Sequence, residues 1–176
     1  MWLSYQQSFK MNLPLGVRME VFGVGSLTER ISSQGLFRVG LINQSNGKQQ
    51  LDEAILLNNL GKGANIRTVI IYCDENPVIL ARSVMPLKKL KREWLQFTKL
   101  GNKSLGSWLH SCPSIKQQPP QISKISPKKY FHDLTAKKMW ARRTVYCQRS
   151  ANILVTEIFL PKYWQKVKVL EDKFSL

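Results

Sequence analysis

The sequence predicts an α+β domain built around antiparallel strands. Two stretches of β-branched residues, each folded back on a partner by a polar turn, imply a pair of hairpins. Apolar residues at helical spacing lie between the hairpins, so helices and hairpins interleave. Length agrees: 176 residues suit one domain and are too few for two well-packed ones. A hydrophobic fraction of 43% provides a real core and argues against disorder.

Residues 1–22 mix Gln, Lys and scattered apolar positions and form a weakly specified leading segment. Gly25-Ser26-Leu27-Thr28-Glu29-Arg30 reads as a turn into a helix, with Ser26 as N-cap and Glu29 completing a capping box. Phe37 to Ile42 is a strand, ended by the turn-rich run Asn43 to Gly47. Leu51 to Leu60, stopped by Gly61, is a short helix with Asp52 and Glu53 in its first turn. The first hairpin joins Arg67–Cys73 to Val78–Val84 through a turn at Asp74 to Pro77. Leu87, Leu90, Trp94, Leu95 and Phe97 then recur at helical spacing on a Lys-rich segment closing at Gly101. Residues 113–129, rich in Pro, Ser, Gln and Lys, predict a mobile loop or flap reaching to about 136. The second hairpin joins Arg142–Cys147 to Ile153–Leu160 through a polar turn at Gln148 to Asn152.

Charge narrows the partners less than it first suggests. The chain carries 27 Lys and Arg against 11 Asp and Glu, a net charge of +16. Nucleic acid, a phosphate-rich surface or a small polyanion would all be attracted. Lysine and asparagine usage of an A/T-rich genome accounts for such an excess equally well. Lys124 to Arg143 is the best nucleic-acid candidate, but no RNP, KH or helix-turn-helix pattern accompanies it, so a solvated loop is favoured. Three widely spaced cysteines, Cys73, Cys112 and Cys147, cannot all pair within one chain and favour a reducing compartment. Cys73 and Cys147 fall near strand ends that neighbouring hairpins could bring together. No cleavable signal or spanning helix is visible, and His110 and His132 lie in no metal-binding motif. Gly23-Val24-Gly25 and Gly101-Asn102-Lys103-Ser104 fall short of nucleotide-binding fingerprints.

Two charges break the apolar pattern. Glu157 sits inside Ile153 to Leu160, a run apolar enough to be covered on both faces, and Arg67 opens Val69 to Tyr72. Charges among core residues are costly unless paired or given a ligand. The two either converge on a pocket for a polar substrate, or form a structural salt bridge, or point to water from an edge strand.

Several segments together resemble the chorismate pyruvate-lyase family, including a branch encoded in algal plastids. They are Gly25 to Thr28, Arg67 at the head of its strand, Pro77 with Ala81 to Pro86, Lys99 to Gly106, Trp140 to Arg143, and Thr156 to Pro161. They run in family order over about residues 23–163. The resemblance implies one domain, an antiparallel sheet flanked by helices, over a buried aromatic acid. It implies a lyase that removes pyruvate from chorismate, leaves 4-hydroxybenzoate for quinone synthesis, and needs no cofactor or metal. By position, Arg67 would bind the ring carboxylate, helped by backbone N–H groups at Leu27 and Leu105. Glu157 would sit by the oxygen that becomes the phenol, with an apolar surround raising its pKa so that it serves as the acid. The chain is expected to act as a monomer on a small molecule, in the plastid stroma or else a bacterial cytoplasm. A non-catalytic module for an aromatic acid or RNA is the alternative.

Overall fold

A computed structural model of the chain describes residues 1–9, 13–23, 26–131 and 137–166. In chain order the elements begin with α1 (Tyr5–Ser8), α2 (Leu15–Phe22), α3 (Leu27–Ser32), β1 (Phe37–Gly47) and α4 (Leu51–Leu56). The first hairpin, β2 (Ala64–Cys73) and β3 (Asn76–Pro86), leads into 3-10 segments at Leu87–Lys89 and Arg92–Lys99. Next come α5 (Leu105–Ser111), β4 (Lys116–Gln117), β5 (Gln121–Ile125) and a 3-10 turn at Pro127–Lys129. The second hairpin, β6 (Met139–Gln148) and β7 (Ala151–Phe159), is followed by helical turns over 161–166.

The two β-branched hairpins meet edge to edge at the centre. The seven-stranded antiparallel sheet runs β1-β2-β3-β7-β6-β4, and β5 also pairs with β6. Alternation along each strand then sorts the core into two layers. On one face Val69, Ile79, Ala81, Val155 and Phe159 pack against α2, α3, α5 and the 87–99 segment. On the other, Leu80, Val84, Ala141, Leu154 and Ile158 pack against α4 and the Tyr130 region.

Several expectations change. Asn43 to Gly47 is no turn: after an irregularity between Leu41 and Asn43, it extends β1 opposite Ala64 to Thr68. Polar residues there mark a sheet edge, where one side meets water. Ser26 precedes α3, but its side chain makes no capping hydrogen bond, and the preceding Gly25 lies outside the described residues. The helix at Leu51 stops at Leu56, with Asn58 and Gly61 at positive φ. The Lys-rich segment coils as 3-10 helix, burying Trp94 and Phe97 but leaving Leu95 exposed. Residues 113–129 are not a structureless loop, because β4 and β5 add to the edge of β6 and Ile122 is fully buried. Residues 132–136 of the expected flap, with His132, lie outside the described residues. The leading segment is tied in too: Leu3 bridges Ile122, and Leu3, Leu13 and Val21 join the core. All three cysteines are free thiols. Cys73 lies beyond the row through Ile79 and Phe159, while Cys147 faces Asn152 at the other end of β7, so the two cannot meet.

Candidate active site

Arg67 projects from β2, between Gln44 of β1 and Ser83 of β3, onto the face covered by α3 and α5. It is 1% exposed, among the most deeply buried large side chains of the chain. Its Nη2 donates to the carbonyls of Gly101 and Lys103, both at 2.9 Å. Gly101 holds φ +51°, a conformation that suits glycine, and so lets the turn wrap its carbonyls around the guanidinium. Arg67 Nε has no acceptor among the described atoms, and no carboxylate there forms an ion pair with Arg67. Burial without a counter-charge pulls its pKa down to about 10.

Glu157 occupies the same face of β7, opposite Ala81 of β3 and Arg142 of β6. Arg142 Nε donates to Glu157 Oε2 across the strand pair, with both side chains largely buried. Burial works against the Arg142 charge, but the adjacent Glu157 carboxylate more than offsets it and holds the guanidinium above its ordinary pKa. The carboxyl is therefore not in the apolar surround expected for a neutral acid. It is one half of an ion pair.

One cavity joins these groups. Arg67, Arg142, Glu157, Leu27, Leu105 and His110 line it, over a floor that includes Val69, Ala81 and Val155. Leu27 and Leu105 open α3 and α5, where first-turn N–H groups lack acceptors within their own helix. The two helix starts are fastened by Thr28 Oγ1 and Ser104 Oγ at 2.9 Å. Gly106 lets them approach, since a Cβ there would lie 3.0 Å from Thr28 Oγ1. The cavity is narrow, with about 40 Å³ open to the centres of water molecules, so a six-membered ring fits only if its walls move apart. Tyr146 closes one side, and burial pushes its phenol up to about 12.

The chorismate lyase family model matches residues 2–169, nearly the whole chain. The chain belongs to the chorismate lyase family. A probable chorismate pyruvate-lyase of Nitrosospira multiformis is 35% identical over 147 residues, covering 78% of this chain and 82% of that protein. Another from Nitrosomonas europaea is 34% identical over 146 residues, with the same coverage of 78% and 82%. The effector domain of PhnF from Mycobacterium smegmatis shares the fold at a TM-score of 0.56 and 17% identity, over 80% of this chain and 91% of that one.

For this member of the chorismate lyase family, all four residues chosen from the sequence line one cavity. Arg142 and His110 were not among them. A two-residue turn at Arg149 and Ser150 fixes the register that sets Arg142 against Glu157. The longer turn expected at 148–152 leaves that register open, so the sequence does not point to the ion pair. In the sequence His110 stands out only as a candidate metal ligand. One turn after Gly106, it also lines the cavity. The basic stretch Lys124 to Arg143 is less available than its composition suggests. Lys129 and Arg143 pair with Asp52, Arg142 pairs with Glu157, and Lys124 lies 4.4 Å from the Trp140 ring centroid. Among the described residues, no helix is long and apolar enough to cross a membrane.

Proposed function

We propose that this chain is a chorismate pyruvate-lyase, converting chorismate to 4-hydroxybenzoate and pyruvate. One observation carries the reading: a buried arginine without a counter-charge among the described residues shares a cavity with a largely buried carboxylate that has one. The first group suits the ring carboxylate of a substrate, and a guanidinium matches that shape closely. N–H groups of Leu27 and Leu105 add donors to the same anion. Glu157 lies beside the ring hydroxyl, held in place by its contact with Arg142.

The chemistry then asks little of the protein. The ether bond between ring carbon 3 and the enolpyruvyl oxygen breaks, and its electron pair leaves with the oxygen. Ring carbon 4 loses its proton, Glu157 being placed to accept it, and the ring becomes aromatic. The proton passes to the methylene carbon of the departing enolpyruvate, giving pyruvate, so atoms balance without water or an oxidant. Aromatisation drives the reaction, and the protein supplies orientation and one proton transfer.

Incubating the purified protein with chorismate and quantifying both products tests the proposal directly. No formation above the spontaneous rate ends it. Tight 4-hydroxybenzoate binding without turnover would instead place the chain among ligand-binding modules on this fold. We further read the chain as a member of the plastid-encoded branch, serving quinone synthesis as a monomer in the stroma. Its Lys- and Asn-rich usage supports that reading. Mass spectrometry of the native protein checks it, since a plastid product should retain Met1 and reduced thiols.

A further inference from the structure

The proposed substrate is a dianion, and Arg67 answers one of its two carboxylates. The other hangs from the enolpyruvyl ether at ring carbon 3, next to the carbon that bears the hydroxyl facing Glu157. It must therefore lie towards the Glu157 end of the cavity, where burial without donors would be costly. Two polar rings line that cavity besides the charged groups, His110 and Tyr146. Strand register brings Tyr146 there. It stands four positions after Arg142 on β6, opposite Ile153 of β7, so alternation puts it on the face that carries Glu157. Burial raises its phenol to about 12, and the nearby Glu157 carboxylate adds to the rise. At neutral pH its hydroxyl is thus protonated and able to donate. His110 belongs to the last turn of α5 and meets the Tyr146 ring edge to face, with centroids 6.3 Å apart and planes at 83°. Tyr146 is 8% exposed whereas His110 is open to solvent, so the pair runs from the inner wall to the rim.

We propose that His110 and Tyr146 form a second carboxylate subsite, which selects a dianionic substrate over a monoanion. The inference rests on the reading of Arg67 as ligand of the ring carboxylate and assigns the other end of the same substrate. The imidazole offers an N–H in either protonation form, the phenol offers an O–H, and the two oxygens of one carboxylate accept both. The aromatic product keeps only its ring carboxylate and makes no use of the pair. The subsite therefore holds the substrate and releases its ring product.

Calorimetric titration of the full chain compares two unreactive probes, benzoate and 3-(carboxymethoxy)benzoate, whose ether at carbon 3 carries a second carboxylate. The diacid should bind at least about tenfold more tightly, the scale of a charge-assisted hydrogen bond. Tyr146→Phe removes the hydroxyl and keeps the ring, while His110→Phe removes both ring nitrogens and keeps an aromatic side chain. Each should lower the ratio of diacid to benzoate affinity by about fivefold or more. His110→Gln, which restores an N–H donor, should recover part of that ratio. Circular dichroism checks that each variant is folded. A ratio near one in the native chain, or a ratio that survives either substitution, overturns the proposal. So does a His110→Gln ratio no better than that of His110→Phe. Arg67→Ala separates the two levels of the argument. Benzoate binding that is absent, or untouched by Arg67→Ala, brings down the reading of Arg67 and this subsite with it. Benzoate binding that depends on Arg67, without preference for the diacid, brings down the subsite alone.

Discussion

Arg67 and Arg82 stand on neighbouring strands, one register step apart, and point to opposite faces of the sheet. Arg82 meets Glu53 of α4 through two hydrogen bonds, at 2.7 and 3.0 Å, and its guanidinium lies 5.0 Å from the Tyr130 ring centroid. Asp52 beside it gathers Lys129, Arg143 and the Trp2 indole. Every charge named there has an opposite charge from a different part of the chain. Among the described residues, Arg67 meets two backbone carbonyls and no carboxylate. A buried cation fully answered within the protein fastens elements together, here α4 and the N-terminus to the sheet. One answered only by dipoles keeps its charge available for a ligand, at some cost to stability. The same residue type thus serves structure on one face and binding on the other.

The largest effect should come from breaking the structural face. Glu53→Ala leaves Arg82 buried and uncompensated, which costs about 3–5 kcal/mol of folding stability. Urea unfolding would register it as a lower midpoint, while binding of 4-hydroxybenzoate by the remaining folded protein should be unchanged. Loss of affinity at unaltered stability would erase the division between the two faces.

Turnover should respond next. Glu157→Gln keeps the size of the side chain and a hydrogen-bonding oxygen for Arg142, but removes the carboxylate. Loss of its proton transfer should lower kcat by about 10²–10⁴-fold, with a far smaller change in binding of 4-hydroxybenzoate. Equal losses in kcat and affinity would make the Arg142–Glu157 contact a structural pair, like that of Arg82 and Glu53.

Arg67→Ala addresses the contrast itself. Removing a charge-assisted contact should weaken 4-hydroxybenzoate binding by about 1.5–3 kcal/mol. Stability should fall little or rise, because an uncompensated buried cation leaves with the side chain. Calorimetric titration and urea unfolding on the same preparation give both quantities. A stability loss comparable to that of Glu53→Ala would show Arg67 to be structural.

Much of this contrast was legible in the sequence, and the illegible part has one cause. The strands around Arg67 and Glu157 announce themselves, because Val69 to Ile71 and Ile153 to Val155 are β-branched or apolar throughout. A charge inside such a run is conspicuous. Its partners are not. Arg142 reaches Glu157 only after the tight hairpin fixes register, and Arg82 reaches Glu53 across 29 positions of sequence. Arg82 looks no less anomalous than Arg67 on its strand, so composition alone could not say which arginine was structural. Asn43 to Gly47 failed for a related reason: polar residues at a sheet edge and in a turn look alike until the pairing partner is known.

The smallest effect concerns pH, and it belongs to the ligand-binding face. Burial holds the Arg67 pKa down at about 10, below the ordinary arginine value. The unfolded chain therefore holds this proton more tightly than the folded one. Through linkage, the penalty for burying the cation is fully present below pH 10 and is relieved as pH rises from there towards the ordinary value. Ligand binding should show the opposite trend. A bound carboxylate favours the charged form, so affinity should be steady through neutral pH and fall once pH exceeds about 10. The limiting slope is about tenfold per pH unit for loss of one proton. Benzoate is the proper probe, because it carries the carboxylate without a phenol that would itself titrate in this range. Tyr146, pushed up to about 12, should stay protonated across the window. Calorimetry with benzoate from pH 8 to about 11, limited to conditions where circular dichroism shows native protein, should reveal the decline in the native chain. In Arg67→Ala, whatever weak binding remains should lack it. A decline of equal steepness in both proteins would assign the titration to another group and remove the lowered Arg67 pKa from the account of binding.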